Sequence, residues 1–541
     1  MIKNSKFHIR LPMILALGLA VGILIGAKMA YLQPSENDIF SSVQKFRKVI
    51  TLIERDYVDQ VSTEELVETA IEKMLEDLDP HTTYISAEDA ELANSSLQGE
   101  FEGIGIEFNL IRDTIYVITP LAGGPSAKAG LRAGDKIIKV NGKTVAGVDI
   151  ENREVIELLR GEKGTEVDVT IKRGDSDKLL DFTVKRDKIP QHSVDVSYMI
   201  NDEIGYLKVS RFSANTYDEF KEALDKLKSE GMKKLILDLQ SNPGGYLDKA
   251  VRMADEFLRD NKMIVYTKGK QPKYNSEHRA TTKGEFEDNP LIVLINEGSA
   301  SASEIVAGAL QDNDRALIVG RRSFGKGLVQ LAVQLGDGSE MRLTISRYYT
   351  PSGRSIQKPY EGGLEEYLHD SEARYEHGEF FIKDSIHFAD SLKYKTQQGR
   401  IVYGGGGIMP DYFVPLDTSY NSEYFRKLVF NNVIREYAIN YHENNLKVFE
   451  QMSFKEFKED FEITDQMMDE LIAAGKAANI DFNQADYRKS ESIIKTQLKA
   501  SIARSEWGDK GYYPIMNEND EIYQEALTLF SEAQRLASQE N

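Results

Sequence analysis

Three serines in the middle of the chain have the residue type and the position expected of a catalytic nucleophile. Ser299, Ser301 and Ser303 follow the apolar run 291–296, and the apolar residues after them recur at helical spacing. This pattern predicts a buried strand, a tight turn and a helix that begins near residue 302. A hydroxyl at a helix N-terminus lies beside free backbone N–H groups, which can also stabilise an oxyanion. The turn therefore has the components of an acyl-transfer site.

A lysine twenty-five residues after Ser301 is a candidate base. Lys326 lies between Gly325 and Gly327, after a second apolar run at 316–320, and this position is poorly suited to a solvated surface. Burial beside the serines would lower the pKa of its ammonium group, and a neutral amine can accept a proton from a hydroxyl. The sequence therefore predicts the serine–lysine version of a nucleophile and its base.

Two other interpretations of these segments involve no such chemistry. Serine is common at helix starts as a capping residue. Residues 320–326 also match the G-x-x-x-x-G-K pattern of a phosphate-binding loop. That pattern fails at Gly327, where a Ser or Thr would bind magnesium, and 328–335 continues as a strand where a helix is required. The sequence therefore argues against nucleotide binding.

The same segments carry a family resemblance. The sequences NEGSASASEIVAGALQD (296–312) and GRRSFGKGLVQ (320–330) resemble the catalytic core of the C-terminal processing peptidases, also called tail-specific proteases. That family uses a Ser-Lys dyad with a supporting glutamine. The resemblance implies Ser301 as nucleophile, Lys326 as base and Gln330 as the residue that orients the lysine. Gln330 lies four residues beyond Lys326 on an extended segment, so the two side chains share a face.

A glycine loop after another predicted buried strand is suited to supply oxyanion donors. The strand opens into QSNPGG (240–245), where no bulky side chains cover the backbone N–H groups. The resemblance implies that one donor is the N–H of Gly244 or Gly245 and the other that of Ala302. The family usually has arginine where Gln240 stands, a difference that touches no predicted catalytic atom. An ordinary turn into the next helix is the alternative.

Over residues 93–190 the sequence pattern changes to one of short strands and turns, and this region resembles a PDZ domain. Such a domain adds the C-terminal strand of a peptide to a sheet edge, and backbone N–H groups capture the terminal carboxylate. The resemblance implies that the loop 103–106 has this role and that nearby apolar side chains contact the last residue of the peptide. An ordinary core role is the alternative for these side chains. The predicted peptide-binding residues are Gly103, Ile104, Gly105, Ile106, Val155 and Leu159.

The overall composition excludes several functions. The 541 residues carry a net charge of -20, which argues against nucleic acid and anionic membrane surfaces as main partners. With no cysteine in the chain, disulfides, thiol chemistry and cysteine-ligated zinc are excluded. We predict neither a cofactor nor a metal site. The length is sufficient for several domains, each with its own core.

The start of the chain predicts export. Basic residues within 1–10 precede an uncharged apolar run at 11–27, which is near the short limit for a membrane helix. No clean cleavage site follows, because Lys28 occupies a position that requires a small residue. An uncleaved anchor at 11–29 is therefore favoured over a signal peptide. The N-region would stay in the cytosol, and the rest of the chain would lie in the periplasm or outside the cell.

These segments together predict an α/β multi-domain protein. A helical arm at 37–92 precedes the PDZ-like domain, which is inserted before an α/β Ser-Lys peptidase core at 191–416. The core contains a charged, aromatic insert at 361–398 that matches no pattern. Residues 417–541 predict a helical C-terminal extension for substrate restriction or assembly. His81, in the turn that ends the arm, is predicted to be structural.

Three functions are compatible with these observations. The favoured one is a serine endopeptidase that is anchored in the inner membrane by its N-terminal helix and cleaves unfolded or C-terminally tailed proteins. The sequence also allows a homo-oligomer. The second is an inactive peptide-binding scaffold of the PDZ type, although the intact Ser301, Lys326 and Gln330 argue against it. The third is a serine hydrolase of small esters. This chain lacks the G-x-S-x-G motif of such enzymes, and His192 or His278 would have to act as the base.

Overall fold

The chain divides into two compact units, and the first spans Met1–Leu75. The computed structural model describes residues 16, 18–23, 34–121, 123–174, 176, 178–281, 283–386 and 388–539. The helices at the start of the chain are α1 (Pro34–Asp56) and α2 (Thr63–Glu76). The predicted N-region 1–10 and most of the predicted anchor 11–29 lie outside the described residues. Among the helices that are described, none is both long and apolar enough to span a bilayer.

The second unit, Glu76–Asn541, begins with a short connection to the PDZ-like domain. β1 (Thr83–Ile85) is followed by α3 (Ala87–Gln98), which begins at Ser86, whose hydroxyl accepts the Asp89 N–H, and ends at Gly99. A serine at the start and a left-handed glycine at the end are the usual signals for the limits of a helix.

The PDZ-like domain is closed where its two chain ends meet. Its first strand, β2 (Glu100–Gly103), pairs antiparallel with its last strand, β9 (Asp187–Pro190). Between them lies a sheet of order β3-β4-β5-β7-β8, in which β6 also pairs with β5. Its core consists of fully buried aliphatic side chains such as Val117, Ile137 and Val169. The other elements are β3 (Ile106–Leu110), β4 (Ile115–Pro120), α4 (Pro125–Ala129), β5 (Lys136–Val140), β6 (Lys143–Thr144), α5 (Asn152–Leu159), β7 (Glu166–Lys172) and β8 (Leu179–Lys185).

A six-stranded sheet forms the centre of the region predicted as a peptidase core, residues 191–416. Its order is β10-β11-β12-β15-β16-β21, and every pair is parallel except β10 with β11 at one edge. The inner strands are almost wholly apolar, as expected for a sheet that is covered on both faces. The members are β10 (Val194–Met199), β11 (Ile204–Val209), β12 (Lys234–Asp238), β15 (Leu291–Ile295), β16 (Leu317–Gly320) and β21 (Tyr412–Phe413).

Alternate residues of these strands point to two separate cores. On one face, Leu235 and Val293 belong to a cluster shared with α6 (Thr216–Ser229), α7 (Leu247–Asp255) and α8 (Ala302–Asp312). On the other face, their neighbours Ile236 and Ile292 pack against the last two helices of the chain. Those two helices are α18 (Glu521–Thr528) and α19 (Phe530–Gln539). The end of the C-terminal extension is thus part of the peptidase core.

A second, antiparallel sheet carries the strand that follows Lys326. Its order is β1-β18-β13-β14, and β17 pairs with β18 as a hairpin. The members, besides β1, are β13 (Met263–Gly269), β14 (Ser276–Arg279), β17 (Leu328–Gln334) and β18 (Glu340–Tyr349). Since β1 belongs to this sheet, the turn that ends the predicted arm is attached to the core.

The insert predicted at 361–398 packs against the loop that precedes Lys326. Glu379 accepts hydrogen bonds from Arg322 at 2.7 Å and from Arg374 at 2.8 Å. Lys358 lies 4.1 Å from the ring centre of Phe324 and 4.0 Å from that of Tyr367. The insert therefore supports the lysine loop from outside. Its elements are α9 (Leu364–Leu368), α10 (Asp370–Glu376) and β19 (Lys393–Lys395), which pairs with β20 (Ile401–Tyr403).

The C-terminal extension is helical, as predicted, and has a core of its own. Phe449, Phe457 and Leu498 are among its buried residues. The predicted α/β multi-domain architecture, with its PDZ-like domain and its helical N- and C-terminal regions, is thereby confirmed. The remaining helices are α11 (Glu423–Phe430), α12 (Val433–Asn444), α13 (Leu446–Phe449), α14 (Phe454–Asp460), α15 (Asp465–Ala477), α16 (Gln484–Trp507) and α17 (Asp509–Met516).

Candidate active site

Ser301 lies at the N-terminus of α8, just beyond the carboxyl end of β15. Its φ of 55° and ψ of -111° are unusual for a residue with a side chain, so surrounding contacts must hold the turn. The neighbouring serines supply such contacts. Ser299 Oγ donates to the Leu239 carbonyl at 2.8 Å. Ser303 Oγ donates to the Asn242 carbonyl at 2.9 Å. Two of the three serines are thus structural, and Ser301 is the one of the three that lines a cleft.

Lys326 is largely removed from water, and its one side-chain partner among the described residues is Gln330. Its Nζ donates to Gln330 Oε1 at 2.9 Å, and the Gln330 amide nitrogen donates to the His81 carbonyl. Burial lowers the pKa of Lys326, and the positive charge of Arg342 lowers it further, while two nearby carboxylates act in the opposite direction. The Lys326 amine is therefore easier to deprotonate than that of an exposed lysine.

The Glu304 carboxylate connects the serine turn to the lysine loop. One oxygen accepts the N–H groups of Ser301 at 2.8 Å and Lys326 at 2.9 Å. The other accepts the Ser323 hydroxyl at 2.6 Å and the Gly325 N–H at 2.7 Å. Burial raises the pKa of Glu304 to about 7, although these hydrogen bonds lower it. The sequence signal for this role is the S-x-x-E spacing of a helix start, which by itself predicts only a cap.

The glycine loop approaches Ser301 too closely for a side chain. A Cβ at Gly244 would lie 2.7 Å from the Ser301 Cβ and 2.8 Å from the Ala302 nitrogen, and the φ of 97° also favours glycine. The Gly244 N–H donates to Asn242 Oδ1 at 2.9 Å. Within the described residues, no hydrogen bond uses the N–H of Gly245 or of Ala302. Of the two glycine amides, only that of Gly245 is thus unoccupied.

One cleft of about 640 Å³ brings most of these residues together. Ser301, Lys326, Gln330, Gly244 and Gly245 all line it, whereas Ala302 is buried beneath it. The electrostatic surroundings are cationic, because Arg211 and Arg342 line the same cleft. Sequence reasoning missed both arginines, since neither lies in a catalytic motif.

Tyr348, on β18, is a further cleft residue that the sequence analysis did not single out. Its hydroxyl lies 2.5 Å from the Lys326 carbonyl and 3.1 Å from the Ser301 carbonyl. The side chain is almost fully buried, and burial raises the pKa of its hydroxyl well above the usual value. Tyr348 therefore stays a neutral donor that joins the backbones of Ser301 and Lys326.

The predicted peptide site of the PDZ-like domain is a small groove of about 160 Å³. Five of the six predicted residues line it, and the sixth, Val155, is fully buried in the domain core. Ile156 lies in the groove in its place, because successive residues of a helix face different directions. The lining residues are Gly103, Ile104, Gly105, Ile106 and Leu159, together with Phe101, Phe108, Ile156 and Arg160.

His192 and His278, the two histidines considered as an alternative base, both lie outside the cleft. His192 is exposed beside Glu219, and His278 contacts Ser276. The His81 ring nitrogen lies 2.7 Å from the Tyr367 hydroxyl, and burial lowers the pKa of His81 to about 4. It is the His81 carbonyl that reaches the site, through Gln330.

Comparisons with protein families match four parts of the chain. Residues 203–366 match the model of peptidase family S41, and 103–185 match that of the PDZ domain. Residues 27–89 match the N-terminal domain of the activating protease CtpB. Residues 424–508 match a family of unknown function.

Several similar proteins are named as proteases. A carboxy-terminal-processing protease of Bartonella bacilliformis is 40% identical over 347 residues, which are 62% of this chain and 78% of that protein. A probable CtpA-like serine protease of Staphylococcus aureus is 37% identical over 336 residues, 62% of this chain and 66% of that protein. A solved structure of a photosystem II D1 C-terminal processing protease is 31% identical, covers 57% of this chain and 89% of its own, and has a TM-score of 0.34.

Proposed function

Because this chain belongs to peptidase family S41 and is a serine peptidase, we propose that it cleaves proteins recognised by their C-terminal tails, with Ser301 as nucleophile and Lys326 as base. The observation that carries this proposal is the buried Lys326 amine, held by Gln330, in the same cleft as Ser301. The attachment of Ser299 and Ser303 to backbone carbonyls supports Ser301 as the nucleophile.

The proposed reaction needs only this chain's own groups. The neutral Lys326 amine takes the Ser301 proton as the hydroxyl oxygen attacks the scissile carbonyl. The N–H groups of Gly245 and Ala302 stabilise the oxyanion. Lys326 then returns the proton to the leaving amine, and an acyl-enzyme on Ser301 remains. Lys326 next takes a proton from the water that attacks this ester and gives it to the Ser301 oxygen as the carboxylic acid product leaves.

The groove of the PDZ-like domain is proposed to bind the substrate's free C-terminus. β3 has a free edge in the sheet order, which suits strand addition by a peptide. Apolar side chains such as Ile106, Phe108 and Leu159 line the groove and suit an apolar last residue. Peptides with a free terminal carboxylate should bind better than their amidated forms, and equal binding would remove this role.

The proposed location is outside the cytosol, with residues 11–29 as an anchor in the inner membrane. This rests on the basic N-region and the apolar run that follows it. In cells whose outer layer has been opened, an added protease should degrade the region 31–541. Protection of that whole region would contradict the proposal.

The decisive experiment measures cleavage of an unfolded protein by the purified chain and its variants. Ser301→Ala should abolish cleavage. Lys326→Arg should abolish it as well, because arginine keeps its proton and cannot act as a base. Gln330→Ala should lose less, since the amide orients Lys326 without transferring a proton.

Two substitutions at exposed positions, Ser229→Ala and Lys233→Arg, are matched controls that should leave cleavage unchanged. Both catalytic variants should still bind C-terminal peptides. Substantial cleavage by a folded Lys326→Arg variant would refute the dyad. If the natural chain binds these peptides but cleaves no protein, the result would instead favour the inactive peptide-binding scaffold of the PDZ type.

A further inference from the structure

Arg211 lies in the proposed catalytic cleft, two residues after the end of β11. The next residue, Phe212, is hydrogen-bonded to the glycine loop: its N–H donates to the Gly244 carbonyl at 2.9 Å, and its carbonyl accepts the Tyr246 N–H at 2.8 Å. These two bonds fix the backbone beside Arg211 relative to the loop next to Ser301. The backbone from which the Arg211 side chain extends is therefore held close to the site.

The Arg211 side chain has no protein partner among the described residues. Its Nε is buried without a hydrogen-bond acceptor, and no carboxylate within the described ranges forms an ion pair with it. The other cationic side chains of the cleft have hydrogen-bond acceptors within the protein: Arg342 donates to Glu340 at 3.0 Å, and Lys326 donates to Gln330. A buried donor without an acceptor costs free energy, which a ligand with acceptor oxygens would recover.

The charge of the cleft indicates which acceptor fits. Arg211, Lys326 and Arg342 line it, and Asp248 is the acidic residue among the described lining side chains. The Asp248 side chain is 65% exposed and lies 3.5 Å from Lys249. The cleft is thus locally cationic in a chain of net charge -20. A planar guanidinium fork matches the two oxygens of a carboxylate better than a single carbonyl.

We propose that Arg211 binds a carboxylate of the substrate beside the scissile bond and so gives the peptidase a preference for acidic cleavage sites. This inference rests on the proposed function of the same cleft. The carboxylate has two sources, an Asp or Glu side chain near the cleaved bond or the α-carboxylate of a short chain end.

The test compares peptides that differ only in this group. One pair carries Glu or Gln next to the cleaved bond and has an amidated C-terminus, which removes capture by the PDZ-like domain. A second pair has no acidic residue and ends, close to the cleaved bond, in a free carboxylate or in an amide. Because the PDZ-like groove is also proposed to bind the free carboxylate, the preference within this pair is compared between the natural chain and Arg211→Gln. The natural chain should favour the charged member of one pair in kcat/KM by roughly tenfold to a hundredfold.

Arg211→Gln should abolish this preference by raising KM for the charged peptide, with the neutral peptide cleaved as before. Arg211→Lys should keep part of the preference, because lysine retains the positive charge but lacks the planar guanidinium that binds both carboxylate oxygens. Arg279→Gln, an exposed arginine outside the cleft, should change nothing. An equal loss for charged and neutral peptides, an unchanged preference in Arg211→Gln, or no preference in the natural chain would each overturn the proposal.

Binding measured in the Ser301→Ala background separates this inference from the proposed reaction. If Ser301→Ala, with or without Arg211→Gln, binds the charged and neutral peptides equally, the Arg211 site is refuted even though cleavage is real. If the Ser301→Ala variant binds the charged peptide more tightly and the added Arg211→Gln substitution removes that difference, the Arg211 site is supported whether or not the chain is a peptidase.

Discussion

At the scale of single residues, the environment of Lys326 decides the pH at which the proposed proton transfer can occur. Burial and the charge of Arg342 lower the pKa of Lys326, whereas Glu304 and Asp79 raise it. Only the neutral amine accepts the Ser301 proton, so kcat/KM should rise with pH through the lowered pKa of Lys326.

Arg342→Gln removes a positive charge near the amine and should raise the pKa of Lys326. The pH midpoint of kcat/KM is therefore expected to move upward, while the maximal rate at high pH changes little. Arg279→Gln, at an exposed position that does not line the cleft, is the control. A midpoint that stays in place would show that Arg342 does not influence the base.

Glu304 is the second residue whose replacement has a definite consequence. A glutamine there keeps one acceptor oxygen and turns an NH₂ group toward two donors. We expect Glu304→Gln to lower stability by about 2 kcal/mol, because buried donors lose their acceptor. Proteolysis should fall by roughly a hundredfold, since a small misplacement of reacting groups has such an effect.

A thermal melt and a cleavage assay on the same samples would test the Glu304 prediction. Glu304→Asp retains both oxygens with a shorter reach and should show a partial loss. Full activity in a folded Glu304→Gln variant would mean that the serine turn and the lysine loop are positioned by other contacts.

The sequence pattern identified residues that line one cleft, but it did not predict their contacts. The sequence pattern predicted the turn with its three serines. It did not predict that Ser299 binds the Leu239 carbonyl and Ser303 the Asn242 carbonyl, about 60 residues earlier in the chain. No local pattern reports such a contact. Similarly, Val155 and Ile156 are adjacent apolar residues of one short helix, and only packing decides that Ile156 faces the groove.

At the scale of elements, the turn 79–85 has a larger role than its sequence indicated. The sequence marked it as a helix end in an arm. In the structure, β1 pairs with β18 from Thr83 opposite Arg342 to Ile85 opposite Glu340. The Thr82 hydroxyl accepts the Thr344 N–H from 262 residues away in the chain. A pairing across that separation is set by tertiary packing, which a local reading of the sequence does not include.

Asp79 holds this turn in place and offers a test of its function. Its carboxylate accepts the N–H groups of His81 and Thr82 and the hydroxyls of Thr82 and Thr344. Asp79→Ala should destabilise the protein by about 2 kcal/mol. Since the His81 carbonyl then no longer fixes the Gln330 amide, the maximal rate should fall toward that of Gln330→Ala.

Loss of the Asp79 charge should also lower the pKa of Lys326, because this carboxylate raises it. The variant is therefore expected to combine a reduced maximal rate with a pH midpoint that moves downward. Asp79→Asn, which loses the charge but keeps an acceptor, should move the midpoint with a smaller loss of rate. A reduced rate without any movement of the midpoint would argue that the effect is only structural.

At the scale of the whole molecule, the C-terminal extension contacts the strand that borders the peptide groove. Glu107 on β3 forms an ion pair with Arg435 of α12 and lies 3.7 Å from Arg504 of α16. Asn109, two residues along the same strand, donates to Asn432 at 3.1 Å. Residues at alternate positions of β3, Ile106 and Phe108, line the groove. The extension therefore holds the opposite face of the strand that a bound tail would pair with.

This arrangement predicts that Glu107 and Arg435 are energetically coupled. Both side chains are partly exposed, at 34% and 26%, so the coupling should be modest, about 0.5–1 kcal/mol. Glu107→Arg and Arg435→Glu should each speed amide hydrogen exchange in β3 and α12, because each variant places like charges together. The double swap should restore much of the protection. A double-mutant cycle from denaturant unfolding gives the coupling directly. If the two single effects simply add, the extension does not hold β3 through this pair, and its other contacts with β3, such as the Asn109–Asn432 hydrogen bond, must do so.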